Sequence, residues 1–143
     1  MSQPDLLFLA RLGIVYGLVF WVGGIAHLAF AAIPQLATLE NRIERTRLMG
    51  GVMKRYNPIA WTAIPILITA TTYTALHTSG TSSTTILILA TLYTAALLDF
   101  LHSFILGPRA ATGNTNTRTL ALAVARVETA LALALPLLIA VLL

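Results

Sequence analysis

Two histidines occupy similar places in two apolar segments of this chain. His27 lies seven residues before Pro34, and His102 lies six residues before Pro108. An ionisable side chain inside a membrane is costly and is therefore a functional candidate. A neutral imidazole offers one nitrogen to a metal, and haem iron accepts one axial ligand on each face. The matched pair predicts bis-histidine ligation of a haem b; the alternative is that each histidine only hydrogen-bonds across helices.

Charged residues accompany the two histidines. Asp99 precedes His102 by three residues, which places both on one face of a helix. Arg126 and Glu128 lie in the last apolar segment. A helical rise of ~1.5 Å per residue predicts that these four residues and His27 share one layer, ~9–14 Å from the cytoplasmic ends of their segments. This shared depth is the strongest functional signal in the sequence.

The layer fits a haem site or a site for a bare metal ion. In the haem site, His27 and His102 are the axial ligands, and the guanidinium groups of Arg55 and Arg126 pair with the propionates. Small residues beside His27 leave room for a porphyrin, or they permit close helix contact instead; they are Gly23, Gly24 and Ala31.

The metal site would use carboxylates together with the histidines. Oxygen and nitrogen ligands suit copper(II), iron, zinc or manganese, and carboxylate-x-x-His spacing occurs in metal sites of helical bundles. Its predicted ligands are His27, Asp99, His102 and Glu128. The alternative for the two carboxylates is an ion pair with Arg126 or Arg109.

Four apolar segments must position these residues. The chain of 143 residues is 57% hydrophobic and 10% charged, whereas a soluble domain carries about a quarter charged residues. Each segment is near the ~20 residues that a bilayer core requires. We therefore predict an all-α fold, a polytopic membrane four-helix bundle forming one domain over residues 1–143. Its predicted spans are residues 12–36, 59–76, 85–106 and 120–143.

The two halves of the sequence resemble copies of one helical hairpin. Arg55-Tyr56-Asn57 aligns with Arg126-Val127-Glu128, and at the same offset Pro65 falls on Pro136. Parallel repeats are common in membrane folds, although apolar sequence also aligns by chance. The alignment predicts two tandem hairpins in a pseudo-twofold arrangement, a geometry that grips a flat ligand from both sides.

The distribution of charge predicts the topology. Seven of the nine Lys and Arg residues lie between the first and second spans or between the third and fourth. Positively charged loops favour the cytoplasm, so we expect a multi-pass protein of the cell membrane with both termini outside. The net charge of +4 reports this topology and does not indicate binding to nucleic acid. The chain contains no cysteine, which excludes thiolate metal sites and covalent c-type haem attachment.

The basic segment before the second span has helical spacing of its apolar residues. Ile43, Val52, Met53 and Tyr56 are placed at helical spacing. This segment is predicted to be an interfacial extension of the second helix. Pro58 then either begins a separate span or lies within one continuous helix.

Short motifs resemble those of a known superfamily. Trp21-Val-Gly-Gly24, the stretch from Lys54 to Pro58 (Lys-Arg-Tyr-Asn-Pro) and the run from Asp99 to Arg109 resemble the four-helix unit of copper resistance D (CopD-like) proteins. The length, the Lys-Arg-x-Tyr-Asn stretch and His102 are also similar to HemJ-type protoporphyrinogen oxidases. The resemblance implies a four-helix membrane fold that binds haem or a metal ion.

The sequence departs from both families at positions that matter for chemistry. Those families carry a histidine about two turns before the tryptophan of the first helix, where this chain has Ile14-Val15-Tyr16. HemJ-type proteins also carry a lysine in the third helix, which is absent here. The resemblance therefore implies the fold and a haem or metal ligand, and it does not extend to protoporphyrinogen oxidation.

These observations favour a haem b protein that transfers electrons, a component of a membrane oxidoreductase. Little of the chain lies outside the bilayer, so we expect other membrane or redox subunits, or further copies of the chain, as partners. One alternative is a membrane protein that binds or transports copper or another metal ion. The other is a non-catalytic subunit in which the polar layer fixes helix packing.

Overall fold

The protein folds into four long helices. A computed structural model describes residues 3–78, 80, 82–111 and 115–143. The helices are α1, Gln3–Ala37; α2, Arg42–Thr78; α3, Ser83–Ala110; and α4, Thr115–Ile139, which is followed by a short 3-10 turn, Ala140–Leu142. No strand occurs in these ranges. The predicted all-α, four-helix fold is confirmed.

All four helices are long and apolar enough to cross a membrane. Many large apolar side chains remain exposed along them; Phe8 is 62% exposed, Phe30 71% and Leu137 79%. Apolar surface on this scale must be covered by lipid or by another protein. The protein is therefore a membrane protein.

The helices extend beyond the predicted spans. Helix α1 begins nine residues before the predicted start at Leu12, because the backbone continues its hydrogen bonding through polar flanking residues that hydropathy excludes. Helix α2 is continuous from Arg42, with Pro58 and Pro65 inside it. The predicted helical extension of the second span is thus confirmed, and Pro58 does not begin a separate helix. Of the predicted loop residues, Ser79, Thr81 and residues 112–114 lie outside the described ranges.

The chain divides into two compact units, Met1–Ala70 and Thr71–Leu143. In the first unit, glycines of α1 set the packing against α2. A Cβ atom at Gly17 would collide with Leu67, and one at Gly24 would collide with the ring of Tyr56. Small residues allow membrane helices to approach closely, which increases van der Waals contact. The hydroxyl of Tyr56 donates a hydrogen bond to the carbonyl oxygen of Trp21, 2.8 Å away, and fixes the register of the hairpin.

In the second unit, α3 packs along α4. The buried residues of each helix recur every three or four positions, the spacing of a helix that buries one stripe. On α3 they include Ile88, Leu92, Ala95 and Asp99, and on α4 they include Ala121, Glu128, Ala132, Leu135 and Ile139. Two carboxyl groups therefore occupy positions of the apolar stripe.

Three turns within these helices are π-helical. They are Leu18–Val22 and Leu28–Ala32 in α1 and Leu101–Leu106 in α3. Two of them end two residues before a proline: Ile33 N–H bonds to the carbonyl oxygen of Leu28, and Gly107 N–H bonds to that of His102. A proline ring clashes with the carbonyl four residues earlier in an α-helix. A widened turn before Pro34 and Pro108 relieves this clash while the backbone remains hydrogen-bonded.

The adjacent glycines of α1 should respond differently to substitution. In Gly24→Ala the new methyl group meets the Tyr56 ring, and overpacking of this kind costs about 1–3 kcal/mol. In Gly23→Ala the nearest atom is the Leu18 carbonyl oxygen at 3.8 Å, so the higher helix propensity of alanine should leave stability equal or higher. Thermal unfolding in detergent micelles measures both. Equal melting temperatures for the two variants would contradict the packing described.

Candidate functional site

An acid–histidine cluster lies within the second unit. His102 Nδ1 is 3.5 Å from Glu128 Oε2, and the two side chains are 29% and 7% exposed. One turn before His102, Asp99 is 5% exposed. Its Oδ1 accepts a hydrogen bond from Ser103 Oγ at 3.2 Å. His102 and Glu128 thus lie together in this unit, with Asp99 one turn before His102 on the same helix.

The buried stripes of α3 and α4 bring these groups together. Asp99 continues the series Ile88, Leu92, Ala95, and Glu128 precedes Ala132 by four residues. A buried carboxyl group is costly unless it has a partner. Here Glu128 has the imidazole of His102 beside it, and Asp99 has the hydroxyl of Ser103. The heptad-like spacing of the buried residues is a sequence signal that already places Asp99 and Glu128 inside rather than facing lipid.

A π-helical turn shapes the backbone at His102. The carbonyl oxygen of His102 accepts the N–H of Gly107 across this turn, and a Cβ at Gly107 would lie 2.9 Å from that oxygen. Glycine is therefore required where the turn closes. Such turns are frequent at functional sites. The sequence pattern indicates His102 but not this turn, for which the available signal was Gly107-Pro108, five and six residues after His102.

The two ring nitrogens of His102 have different surroundings. Nδ1 faces the Glu128 carboxyl group. No hydrogen bond from Nε2 to a protein atom occurs in the part of the chain that the structure describes. Glu128 Oε2 accepts no hydrogen bond among the described residues, so the carboxyl group is a neighbour of Nδ1 at ion-pair distance. In metal-ligating histidines a carboxylate at one ring nitrogen orients the ring, and the other nitrogen is the electron-pair donor. The partial exposure of the side chain lets a ligand reach it.

His27 lies in the first unit and is exposed. It directly precedes the π-helical turn Leu28–Ala32, much as His102 lies at the start of its own turn. The expectation that Gly24 leaves room for a porphyrin is wrong, because the Tyr56 ring fills that space. Close helix contact, the alternative for this glycine, is what the structure has.

The two arginines assigned to propionates are both exposed. Arg55 lies on the basic part of α2 and Arg126 lies in α4, two residues before Glu128. Among the residues described, Arg126 makes no ion pair with Asp99. Glu128 faces His102 instead of an arginine. Both side chains are long enough to reach toward polar surroundings.

A dedicated cage for a metal ion is not found in the described ranges. No group of three or more His, Asp or Glu side chains there is arranged to hold one. Protein sites for zinc or iron ions use three or four such ligands.

Comparison with protein-family models, curated proteins and solved structures found no match to this chain.

The pairing of His102 with Glu128 can be measured by a double-mutant cycle. In His102→Leu the buried Glu128 carboxyl group loses its imidazole partner, and breaking a buried pair costs about 3–5 kcal/mol. His102→Leu combined with Glu128→Leu should regain most of that loss, because neither side chain then needs a partner. Unfolding free energies in detergent test the cycle, with His77→Leu as an exposed control. Purely additive losses would mean that the two groups do not interact.

Proposed function

We propose that this protein binds haem b in the membrane and transfers electrons as a small subunit of a membrane redox complex. The observation that carries the proposal is the pairing of His102 Nδ1 with Glu128 at 3.5 Å, which leaves Nε2 free of protein partners in the described residues. An axial haem ligand needs an accessible ring nitrogen, and a carboxyl group near the other nitrogen helps to orient the ring.

The number of available ligands favours haem over a bare metal ion. Haem iron takes four donors from its porphyrin and needs one protein atom on each face. A bare ion must obtain three or four donors from the protein, and no such group occurs in the described ranges. When bound, the haem would supply a one-electron redox centre, while the protein supplies ligation, orientation and a low-dielectric surrounding.

The remaining roles follow from chemistry and exposure. His27 is the proposed second axial ligand, and its exposed ring is available for one. Arg55 and Arg126 are proposed to pair with the propionates, since both guanidinium groups are exposed and such pairs are bidentate. The resemblance to CopD-like and HemJ-type proteins supports the same class of ligand. The electron donor and acceptor would be other membrane subunits or further copies of this chain.

Absorption spectroscopy of the purified protein tests the proposal. We expect a Soret band with split α and β bands in the reduced protein. His102→Ala should abolish haem retention. Glu128→Gln should weaken retention about 10- to 100-fold, since a partner of a ligating histidine contributes on this scale. The matched control is His77→Ala, because His77 is the third histidine, is exposed and bonds only locally to the Tyr73 carbonyl oxygen at 2.8 Å.

Other results of the absorption experiment would support a different function. Full haem retention in His102→Ala would overturn the assignment of this ligand. A colourless protein that co-purifies with copper, zinc or iron would favour the metal-binding alternative, in which Asp99, His102 and Glu128 handle a cation. A protein without haem or metal would leave the polar cluster as a feature of helix packing.

We further propose that the protein lies in the cell membrane with both termini outside. Five of the seven clustered Lys and Arg residues fall between Arg42 and Arg55, at the end of the first hairpin where α1 meets α2. Positive loops of this length remain in the cytoplasm. The end of α3 and the start of α4 carry the other two, Arg109 and Arg118.

Labelling of single introduced cysteines tests this topology, because the chain has none of its own. Ser83→Cys, at the exposed start of α3, should react with a membrane-impermeant maleimide added to intact cells. Asn116→Cys, exposed at the start of α4, should react only after the membrane is permeabilised. The reverse pattern of labelling would invert the orientation.

A further inference from the structure

The first fourteen residues of α2 form a basic helical segment outside the apolar core of the membrane. From Tyr56 to the end of α2 at Thr78 no Asp, Glu, Lys or Arg occurs. That uncharged run of 23 residues is ~35 Å long, close to the ~30 Å thickness of a bilayer core. The boundary of the hydrocarbon along α2 therefore falls at Lys54–Arg55. Residues before it lie in the headgroup layer and beyond.

The two sides of this segment differ. Met49, Val52, Met53 and Tyr56 are half-buried, and they recur at helical spacing on one side. On the opposite side Arg47 and Lys54 are exposed. They are seven residues apart, which places them on the same face, two turns and ~10 Å from each other.

Two glycines lie between these cations. Gly50 and Gly51 are exposed, and a Cβ atom at either would meet nothing within 4 Å. Glycine within a helix costs about 1 kcal/mol relative to alanine, and at these positions no neighbouring helix requires it. The bare backbone leaves open space between two positive side chains at the level of the headgroups.

We propose that the face of α2 formed by Arg47, Gly50, Gly51 and Lys54 binds the headgroups of anionic phospholipids. Lys54 lies at the edge of the hydrocarbon. Arg47 lies ~10 Å farther out, and its flexible side chain can reach back toward the lipid phosphates. The two cations thus frame the headgroup layer, which is about 5–7 Å thick on each side of the core. The space at the glycines admits the phosphate between them. The site is independent of any haem.

The location of this face in the headgroup layer favours an acidic lipid over an acidic protein as its ligand. Phosphate groups are present at this depth around the whole protein, and a basic residue near an anionic surface gains about five-fold in affinity. An acidic protein surface would instead have to enter the headgroup layer to contact Lys54. Ile43 is 81% exposed and lies farther from the membrane. It is not part of the proposed site.

Lipid retention by the purified protein tests the site. The protein is reconstituted in vesicles of phosphatidylcholine with a minor fraction of phosphatidylglycerol, extracted in mild detergent, and its bound lipids are counted by native mass spectrometry. Arg47→Gln and Lys54→Gln should each lower the retention of phosphatidylglycerol about five-fold. Arg45→Gln is the matched control, because Arg45 carries the same charge in the same segment but lies on the half-buried side.

A second variant separates a shaped site from general attraction. Gly50→Leu leaves the charge unchanged and has open space around it, so the protein should fold with an equal or higher melting temperature. We expect it to lose phosphatidylglycerol as strongly as Arg47→Gln does. Equal losses in Arg45→Gln and Arg47→Gln, or full retention in Gly50→Leu, would overturn the proposal. Unchanged retention in both charge variants would also overturn it and would leave this face to an acidic protein.

Discussion

Backbone hydrogen bonding without water is the constraint on which the rest of this structure depends. In the hydrocarbon layer an unpaired N–H or carbonyl group costs several kcal/mol, so only continuous helices or closed barrels cross it. All six prolines of this chain lie within its long helices, and every helix nevertheless continues through them. Before Pro34 and Pro108 the backbone does so by widening one turn; His102 lies within one of these turns and His27 directly precedes the other. The turns that keep the backbone hydrogen-bonded before a proline are therefore also the turns that position the two histidines.

The hydrocarbon layer also bears on the two buried carboxyl groups. Asp99 and Glu128 occupy positions that apolar residues would fill at lower cost, since a buried ion pair is often less stabilising than a well-packed hydrophobic pair of the same volume. Stability therefore does not account for their presence on the buried stripes of α3 and α4. The proposed role of Glu128 in orienting His102 would account for it, because an imidazole that rotates freely would present either nitrogen to a ligand.

The sequence was sufficient for the fold class and for part of the site. Apolar segment length predicted four helices, and Asp99 three residues before His102 predicted a shared face. The pairing of His102 with Glu128 required the register of α3 against α4, which depends on packing that a single sequence does not encode locally. Gly24 was misread as space for a ligand for the same reason: whether a missing side chain leaves a gap depends on what lies opposite, and here the Tyr56 ring does. The π-helical turns were missed because hydropathy carries no information on which carbonyl accepts each N–H.

The widened turn at Leu101–Leu106 also bears on how this chain tolerates insertions and deletions. A π-helical turn holds one residue more than the helix needs to cover the same rise. Loss of one residue within it would return α3 to a regular helix and preserve the facing of the segments on both sides. Loss of one residue elsewhere in α3 would rotate everything beyond it by about 100°, and that rotation would turn a buried carboxyl group such as Asp99 toward lipid. The turn is accordingly the point in α3 where the length of the chain can change by one residue without exchanging its buried and lipid-facing sides.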